Sequence, residues 1–430
     1  MLDRLRQGAL AGARRLDLAC GLRAVPDEVL ALADTLEVLN LTGNRLTQLP
    51  HWLPRLRHLR VLFASDNLFA ELPEVVGDCP ALQVVGFKAN QIAQVGGAAL
   101  PPQLRWLILT DNQIAELPAE LGQRPALEKL MLAGNRLTAL PDSLADAPQL
   151  ALLRLAANRL SAWPRWLMAM PRLAWLALAG NPASPRALAA APVPVWGWSQ
   201  LQVGELLGQG ASGQIHVVAQ ASTPEATPGL VLKLFKGAVT SDGLPADELA
   251  ASLAAGQHPA LCTPVACLGG HPQGTPGLVL PRIPPHWVPL AQPPSLDSCS
   301  RDVYPPDAPS AQAQPEALQR LARTLASALA HVHAQGLMHG DFYGHNILWD
   351  CTTGQAQLGD FGAATWLPPG PERHAWQALE VLAFGHLLQE LLDLWPTHVP
   401  PPAAWSPLVV ACRHPQPRHR PTLAEVVAAL

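Results

Sequence analysis

LEVLNLTGNRLTQLP, residues 36–50, returns down the chain with its leucines and its asparagine in place. The later copies are LRVLFASDNLFAELP (59–73), LQVVGFKANQIAQVG (82–96), LRWLILTDNQIAELP (104–118), LEKLMLAGNRLTALP (127–141), LALLRLAANRLSAWP (150–164) and LAWLALAGNP (173–182). Their asparagines are Asn44, Asn67, Asn90, Asn112, Asn135, Asn158 and Asn181, spaced by 23 residues at every step but one, which is 22. A degenerate first copy keeps Leu16, Leu18, Gly21 and Leu22 in the same frame. A fixed period in this range marks stacked structural repeats.

The shared pattern, L-x-x-L-x-L-x-x-N-x-L, is that of leucine-rich repeats. In each copy the x-L-x-L-x segment predicts a short strand with its leucines turned inward, such as Leu107 and Leu109. The asparagine stands where the chain turns, and its amide can serve backbone groups of adjacent coils. Leu-Pro steps at 49–50, 72–73, 117–118 and 140–141 then open an irregular or short helical return, with Leu53, Leu121 and Leu144 packing back. No copy can bury its own apolar face, so stacking must supply the core. The expectation is an α/β solenoid over residues 13–182 with parallel strands on its concave side. Two columns alternate with the buried leucines there: Val38, Val61, Val84, Trp106, Lys129, Leu152, Trp175, and Asn40, Phe63, Gly86, Ile108, Met131, Arg154, Ala177. Because Phe63, Trp106, Met131 and Trp175 align across the copies, this face is expected to take a protein substrate or regulator.

Composition narrows the remaining possibilities. A length of 430 residues suggests two or three domains. Residues 1–182 carry 18 basic against 16 acidic side chains, and residues 183–430 carry 11 against 17, so neither part has the basic footprint of a nucleic-acid binder. No apolar run approaches the roughly 18 residues of a spanning helix. The arginine-interrupted start has no secretory h-region, and Leu16 and Leu18 already keep the repeat frame. Seven scattered cysteines without a CxxC pair read as free thiols in a reducing cytoplasm. Only four lysines are present, which draws attention to Lys233.

Beyond residue 182 the period is lost. PASPRALAAAPVPVWGWSQ carries four prolines, so 183–200 is expected as a linker or solenoid cap. Residues 201–218, LQVGELLGQGASGQIHVV, then place Gly208, Gly210 and Gly213 in G-x-G-x-x-G spacing. A Rossmann unit would continue as a helix; the β-prone IHVV that follows predicts a hairpin over phosphates. GLVLKLFKG puts Lys233 in an apolar strand, where an ammonium needs an anionic partner. Glu248 on PADELAASLAAG is one candidate, and Asp247 beside it is another. GLVLPRI (277–283) predicts a further strand, the Pro/Ser/Ala-rich strip 284–315 an irregular stretch, and EALQRLARTLASALAHVHAQG a helix with Leu318, Leu321, Leu325, Leu329 and Val332 on one side.

HGDFYGHNILWD follows directly, and LGDFGAA begins twelve residues after Asn346. From here residues 201–430 resemble a protein kinase, and more narrowly the bacterial proteins that fuse leucine-rich repeats to a compact serine/threonine-type kinase domain. The resemblance implies a two-lobed α+β domain that uses ATP and Mg²⁺. It implies phosphate contacts from Gly208, Gly210, Gly213 and Lys233, with Glu248 pairing the lysine. It gives Asp341 the catalytic-loop role, makes Asn346 and Asp360 the metal ligands, and aligns Arg420 with the closing motif. Departures stand beside it. Gly340 replaces the usual arginine, Tyr343 the usual lysine, Glu380 the usual aspartate, and the stretch from Gly362 to Glu380 is short. Its only hydroxyl, Thr365, is poorly placed for a phosphorylation switch. A small-molecule phosphotransferase of kinase-like fold, or a catalytically weak pseudokinase scaffold, are the alternatives.

Overall fold

Three-residue strands have little pairing of their own, and here the 23-residue period makes them sufficient by stacking. A computed structural model describes residues 1–185, 193–210, 212–220, 229–237 and 239–430. The described residues divide into two compact units, Met1–Arg172 with Asn181–Ala183, and Leu173–Gly180 with Ser184–Leu430.

In the first unit a short helix, α1 (Leu2–Arg6), precedes the strands β1 (Arg15–Asp17), β2 (Val38–Asn40), β3 (Val61–Phe63), β4 (Val84–Gly86), β5 (Trp106–Ile108), β6 (Lys129–Met131) and β7 (Leu152–Arg154). They pair in parallel and in register, so Leu39, Leu62, Val85, Leu107, Leu130 and Leu153 form one buried column. The asparagines hold successive coils together. Asn135 donates from Nδ2 to the carbonyls of Leu109 and Leu132, both at 2.9 Å, while its Oδ1 accepts the Ile114 N–H at 3.0 Å. Asn112 and Asn158 repeat the arrangement on their own coils. The prolines open 3₁₀ returns such as Leu53–Arg55, Ala119–Gln123 and Asp142–Asp146, and Leu53, Leu121 and Leu144 are buried as the periodicity predicts. The first unit is a leucine-rich-repeat solenoid.

The second unit takes in the last repeat strand, β8 (Trp175–Ala177). Residues 186–192, within the stretch expected as linker or cap, lie outside the described residues, and Val195–Gly197 farther on forms a strand, β9. A six-stranded sheet follows from β9, β10 (Leu201–Gln209), β11 (Gly213–Gln220), β12 (Leu230–Phe235), β13 (Ala266–Gly269) and β14 (Gly277–Pro281), in the order β10-β11-β12-β14-β13-β9. Helix α2 (Pro245–Ala254) belongs to this lobe. Residues 284–314, after β14, are irregular apart from the two-residue strand β15 (Val288–Pro289) and a 3₁₀ turn at Pro309–Gln312.

The second lobe is helical. Helix α3 (Pro315–Ala334) starts with proline at N1, where its missing N–H costs nothing, and buries Leu318, Leu321, Leu325, Leu329 and Val332. Short strands β16 (Leu337–Met338), β17 (Ile347–Trp349), β18 (Ala356–Leu358) and β19 (Thr365–Trp366) frame the loops between. Helix α4 (Arg373–Asp393) buries residues on every side, from Trp376 to Leu391, as a central helix does. Helices α5 (Trp405–Cys412) and α6 (Leu423–Ala429) close the lobe, the latter with a Thr422–Glu425 capping box. The second unit is a two-lobed α+β domain of kinase-like architecture.

Candidate active site

A cleft of about 280 Å³ in the second unit is walled by Gly210, Gly213, Lys233, Glu248, Asn346 and Asp360, together with apolar Ile215, Leu278 and Leu280. The glycine-rich stretch is a β-hairpin, as IHVV predicts. β10 runs antiparallel to β11, and the Gly210 N–H donates to the Gly213 carbonyl at 2.9 Å across the turn. Gly213 has no room for a side chain, since a Cβ there would stand 2.4 Å from the Leu234 carbonyl oxygen. Gly210 lies open to the cleft, whereas Gly208 sits on β10 opposite Ile215.

Lys233 extends from β12 and forms an ion pair with Glu248 of α2, each largely shielded from water at 13% and 4% side-chain exposure. Asp247, the neighbouring candidate, does not reach the lysine; its buried Oδ2 has no hydrogen-bond partner. Burial alone would lower the Lys233 pKa, but the carboxylates of Glu248 and Asp360 carry it above its ordinary value. Burial pushes Glu248 up to about 7, against the pull of the lysine and with Asp360 adding to the rise. The ammonium therefore stays charged at neutral pH, paired with Glu248 and attracted by Asp360. Cys262 also lines the cleft, and burial pushes its thiol up to about 11.

The second lobe supplies the other wall. Asn346 donates from Nδ2 to the backbone carbonyl of Asp341 at 2.9 Å and to its Oδ2 at 2.8 Å. That commits the amide nitrogen and turns Oδ1 away, as a ligating oxygen requires. Asp360 takes φ of +55°, a region non-glycine residues seldom adopt, and its Oδ1 accepts the Gly362 N–H at 3.2 Å. No group of three His, Cys, Asp or Glu side chains among the described residues could hold a metal alone. One carboxylate and one amide oxygen beside a phosphate-sized cleft nevertheless suit Mg²⁺, which is commonly bound by one or two carboxylates plus substrate phosphates.

Beneath Asp341 the loop is pinned from the core. Glu380, fully buried on α4, accepts the Gly340 N–H at 2.7 Å and the His339 N–H at 3.2 Å, and bonds His333 Nε2 at 2.9 Å. Burial opposes its charge, but the bond and charge of His333, the charge of His339 and the Gly340 N–H hold its pKa below the ordinary value. His339 bridges Asp341 and the Gly359 carbonyl, so Nε2 donates and Nδ1 accepts. The roles of Glu380 and His333 had no signal in the sequence beyond an acidic residue where an aspartate is usual. Arg420 lies buried and donates to the carbonyls of Ala378 and His414.

Two expectations are corrected. Trp175, expected to face a partner from the concave surface, is 2% exposed; its ring stacks on Tyr343 at 4.2 Å. Strand alternation gives the side a residue takes, not what covers it. The rest of the two columns is also less open than expected: Lys129 and Arg154 are buried, and Phe63, Trp106 and Met131 are half-buried. Lys129 Nζ lies over the Trp106 ring at 4.5 Å, and Trp106 Nε1 donates to Met131 Sδ at 3.2 Å. Thr365, the hydroxyl read as poorly placed for a phosphorylation switch, is buried.

Comparison with known proteins agrees with this division. Leucine rich repeat families match residues 35–56, 102–160 and 125–182. The Phosphotransferase enzyme family matches residues 293–372, which include Asp341, Asn346 and Asp360. PH domain leucine-rich repeat-containing protein phosphatase 1 from Homo sapiens is 33% identical over 90 residues, 21% of this chain and 5% of that protein's length. The chain joins leucine-rich repeats to a kinase-like domain that matches a phosphotransferase family.

Proposed function

We propose that the chain is an ATP- and Mg²⁺-dependent protein kinase of serine/threonine type. Residues 201–430 form the kinase domain, 183–200 a linker or cap, and 13–182 an arm for a protein substrate or regulator. The observation that carries the reading is the charged Lys233–Glu248 pair on the same cleft as Asp360, Asn346 and the Gly210–Gly213 turn. Gly208, Gly210 and Gly213 let backbone approach the phosphates, and Lys233 holds the α/β-phosphates. Asp360 and Asn346 hold Mg²⁺, which neutralises charge on the transferring group. Asp341 would take the proton of the acceptor hydroxyl as the acceptor oxygen bonds the γ-phosphorus, the bond to the β–γ bridging oxygen breaks and ADP leaves. Phe63, Trp106 and Met131 are the partner-facing residues of the arm. Seven free thiols fit a cytoplasmic setting.

A small-molecule acceptor is the second reading, favoured by the family match and by a separate cavity of about 570 Å³. That cavity is bordered by Val288–Pro293, Asp307–Pro309 and His345, the residue next to Asn346. Incubation with γ-labelled ATP, with and without a protein acceptor, separates the two. Label on serine or threonine of protein is expected. Label confined to small hydroxyl compounds would replace the protein-kinase reading, and no transfer would leave a scaffold.

A further inference from the structure

Gly340 and Tyr343 depart from the kinase pattern, and both meet the same segment. Leu173–Gly180 belongs to the second unit, and every contact below lies within that unit. The Leu176 N–H donates to the Gly340 carbonyl at 3.1 Å. Trp175 Nε1 donates to the Phe342 carbonyl at 3.0 Å. The Trp175 ring lies flat on Tyr343, with planes 7° apart, while His386 stacks against it at 5.7 Å and Arg301 stands over it at 5.8 Å. Farther along, the Leu178 N–H donates to Thr365 Oγ1 at 3.1 Å, five residues past Asp360.

Asp341 sits between Gly340 and Phe342, so both carbonyls flanking it are held by this one segment. The approach is close enough to dictate residue types. Gly340 takes φ of +75°, and a Cβ there would stand 2.4 Å from the Leu176 carbonyl oxygen and 2.6 Å from that of Ala363. An arginine at that position is sterically excluded while the segment is in place. Tyr343 supplies the ring on which Trp175 stacks. Where a regulated kinase orders its loop by pairing a phosphate with arginine, this chain has a built-in strand with neutral hydrogen bonds and one buried indole.

We infer that Leu173–Gly180 is a positioning element of the phosphotransfer site, with Trp175 as the residue that fixes Asp341 through the Gly340–Tyr343 backbone. The inference rests on the phosphotransferase reading of the cleft for its consequence in turnover, and on the contacts above for its consequence in loop order. Trp175 touches neither nucleotide nor acceptor in this scheme, so its effect falls on turnover and not on nucleotide affinity. A misplacement near 1 Å at a reacting group costs on the order of 100-fold.

The test uses the full chain carrying Trp175→Phe or Trp175→Ala, with Asn135→Ala in the solenoid as a control for general destabilisation. Hydrogen exchange of the 340–346 amides reads loop order, and release of labelled phosphate from γ-labelled Mg-ATP to water reads turnover. Trp175→Ala is expected to speed exchange across 340–346 and to lower turnover on the order of 100-fold, with KM for Mg-ATP within about two-fold. Trp175→Phe, which keeps the stack and loses the N–H, should fall between, and Asn135→Ala should match wild type in turnover and in exchange across 340–346. Unchanged exchange in both Trp175 variants overturns the inference, as does a loss of turnover that appears wholly in KM. Should Trp175→Ala fail to fold, the exchange pattern and the KM–turnover split of Trp175→Phe decide alone. A wild type without turnover defeats the phosphotransferase reading, and exchange still decides whether the segment orders the loop.

Discussion

Buried polar groups in the two units follow the same rule and mean different things. In the solenoid the recurring ones are neutral amides, beside two single buried cations, Lys129 and Arg154. Asn44, Asn67, Asn112, Asn135, Asn158 and Asn181 are each buried, and each bonds backbone groups of a neighbouring coil. In the kinase-like unit the ones around the cleft do not recur: Lys233 pairs with Glu248, and the Glu380 carboxylate bonds His333 and the Gly340 N–H. A neutral amide that meets every backbone need is cheap to bury. A buried ion pair carries a desolvation penalty that its Coulomb attraction need not recover, so it is weak evidence for stability. Placed on a cleft with shifted pKa values, it is evidence for chemistry instead.

That contrast can be broken by substitution. The largest effect is expected at Asp341. Asp341→Asn keeps the shape and an oxygen for the Asn346 amide, removes proton acceptance, and should lower turnover by roughly 10²–10⁴-fold with nucleotide affinity unchanged. Steady-state kinetics with γ-labelled ATP checks it, and a loss of only a few-fold would move the catalytic role elsewhere.

Glu380 comes next. Glu380→Ala leaves the Gly340 and His339 amides and the His333 ring without their acceptor and should destabilise the chain by several kcal/mol, at about 1–3 kcal/mol for each buried donor left unpaired. Its carboxyl titrates lower in the folded protein than its ordinary value of 4.5. The stabilisation is therefore complete above that value and is lost as pH falls through the lower folded pKa. Denaturant melts of wild type and Glu380→Gln should differ by a constant amount above about pH 5 and converge in stronger acid. A gap that widens in acid would contradict the sign.

The smallest effect is expected in the solenoid. Asn135→Ala leaves the Leu109 and Leu132 carbonyls and the Ile114 N–H without their bridge, at a cost of about 1–3 kcal/mol. Turnover should stay within about two-fold. An activity loss comparable to that of Asp341→Asn would end the distinction between architecture and chemistry.

The solenoid was legible in the sequence because its period repeats the same instruction. Each copy restates which leucine is inside, and the asparagine bridges follow from spacing alone. The cleft was legible for a different reason: the order of the motifs groups Lys233, Glu248, Asn346 and Asp360, and all four line it. What escaped was mutual placement. Glu248 and Asp247 are adjacent on one helical turn, and only the path of α2 selects Glu248. Trp175 keeps the repeat frame, so nothing in its spacing reveals that Tyr343 covers it. Thr365 is a hydroxyl in a short loop by sequence and a buried acceptor for the Leu178 N–H in the fold. Each miss concerns a partner distant in the chain.

The central claim is that the cleft between Lys233 and Asp360 binds nucleotide together with Mg²⁺. The most direct measurement is the thermal shift produced by ATP with and without Mg²⁺, in wild type and in Asp360→Ala. At ligand near 100 times Kd, binding to the folded state stabilises by roughly 2.7 kcal/mol. The account predicts a shift of that order in wild type that depends on Mg²⁺, and loss of the Mg²⁺-dependent part in Asp360→Ala. An equal shift with and without Mg²⁺ in wild type, or an undiminished one in the variant, would contradict it.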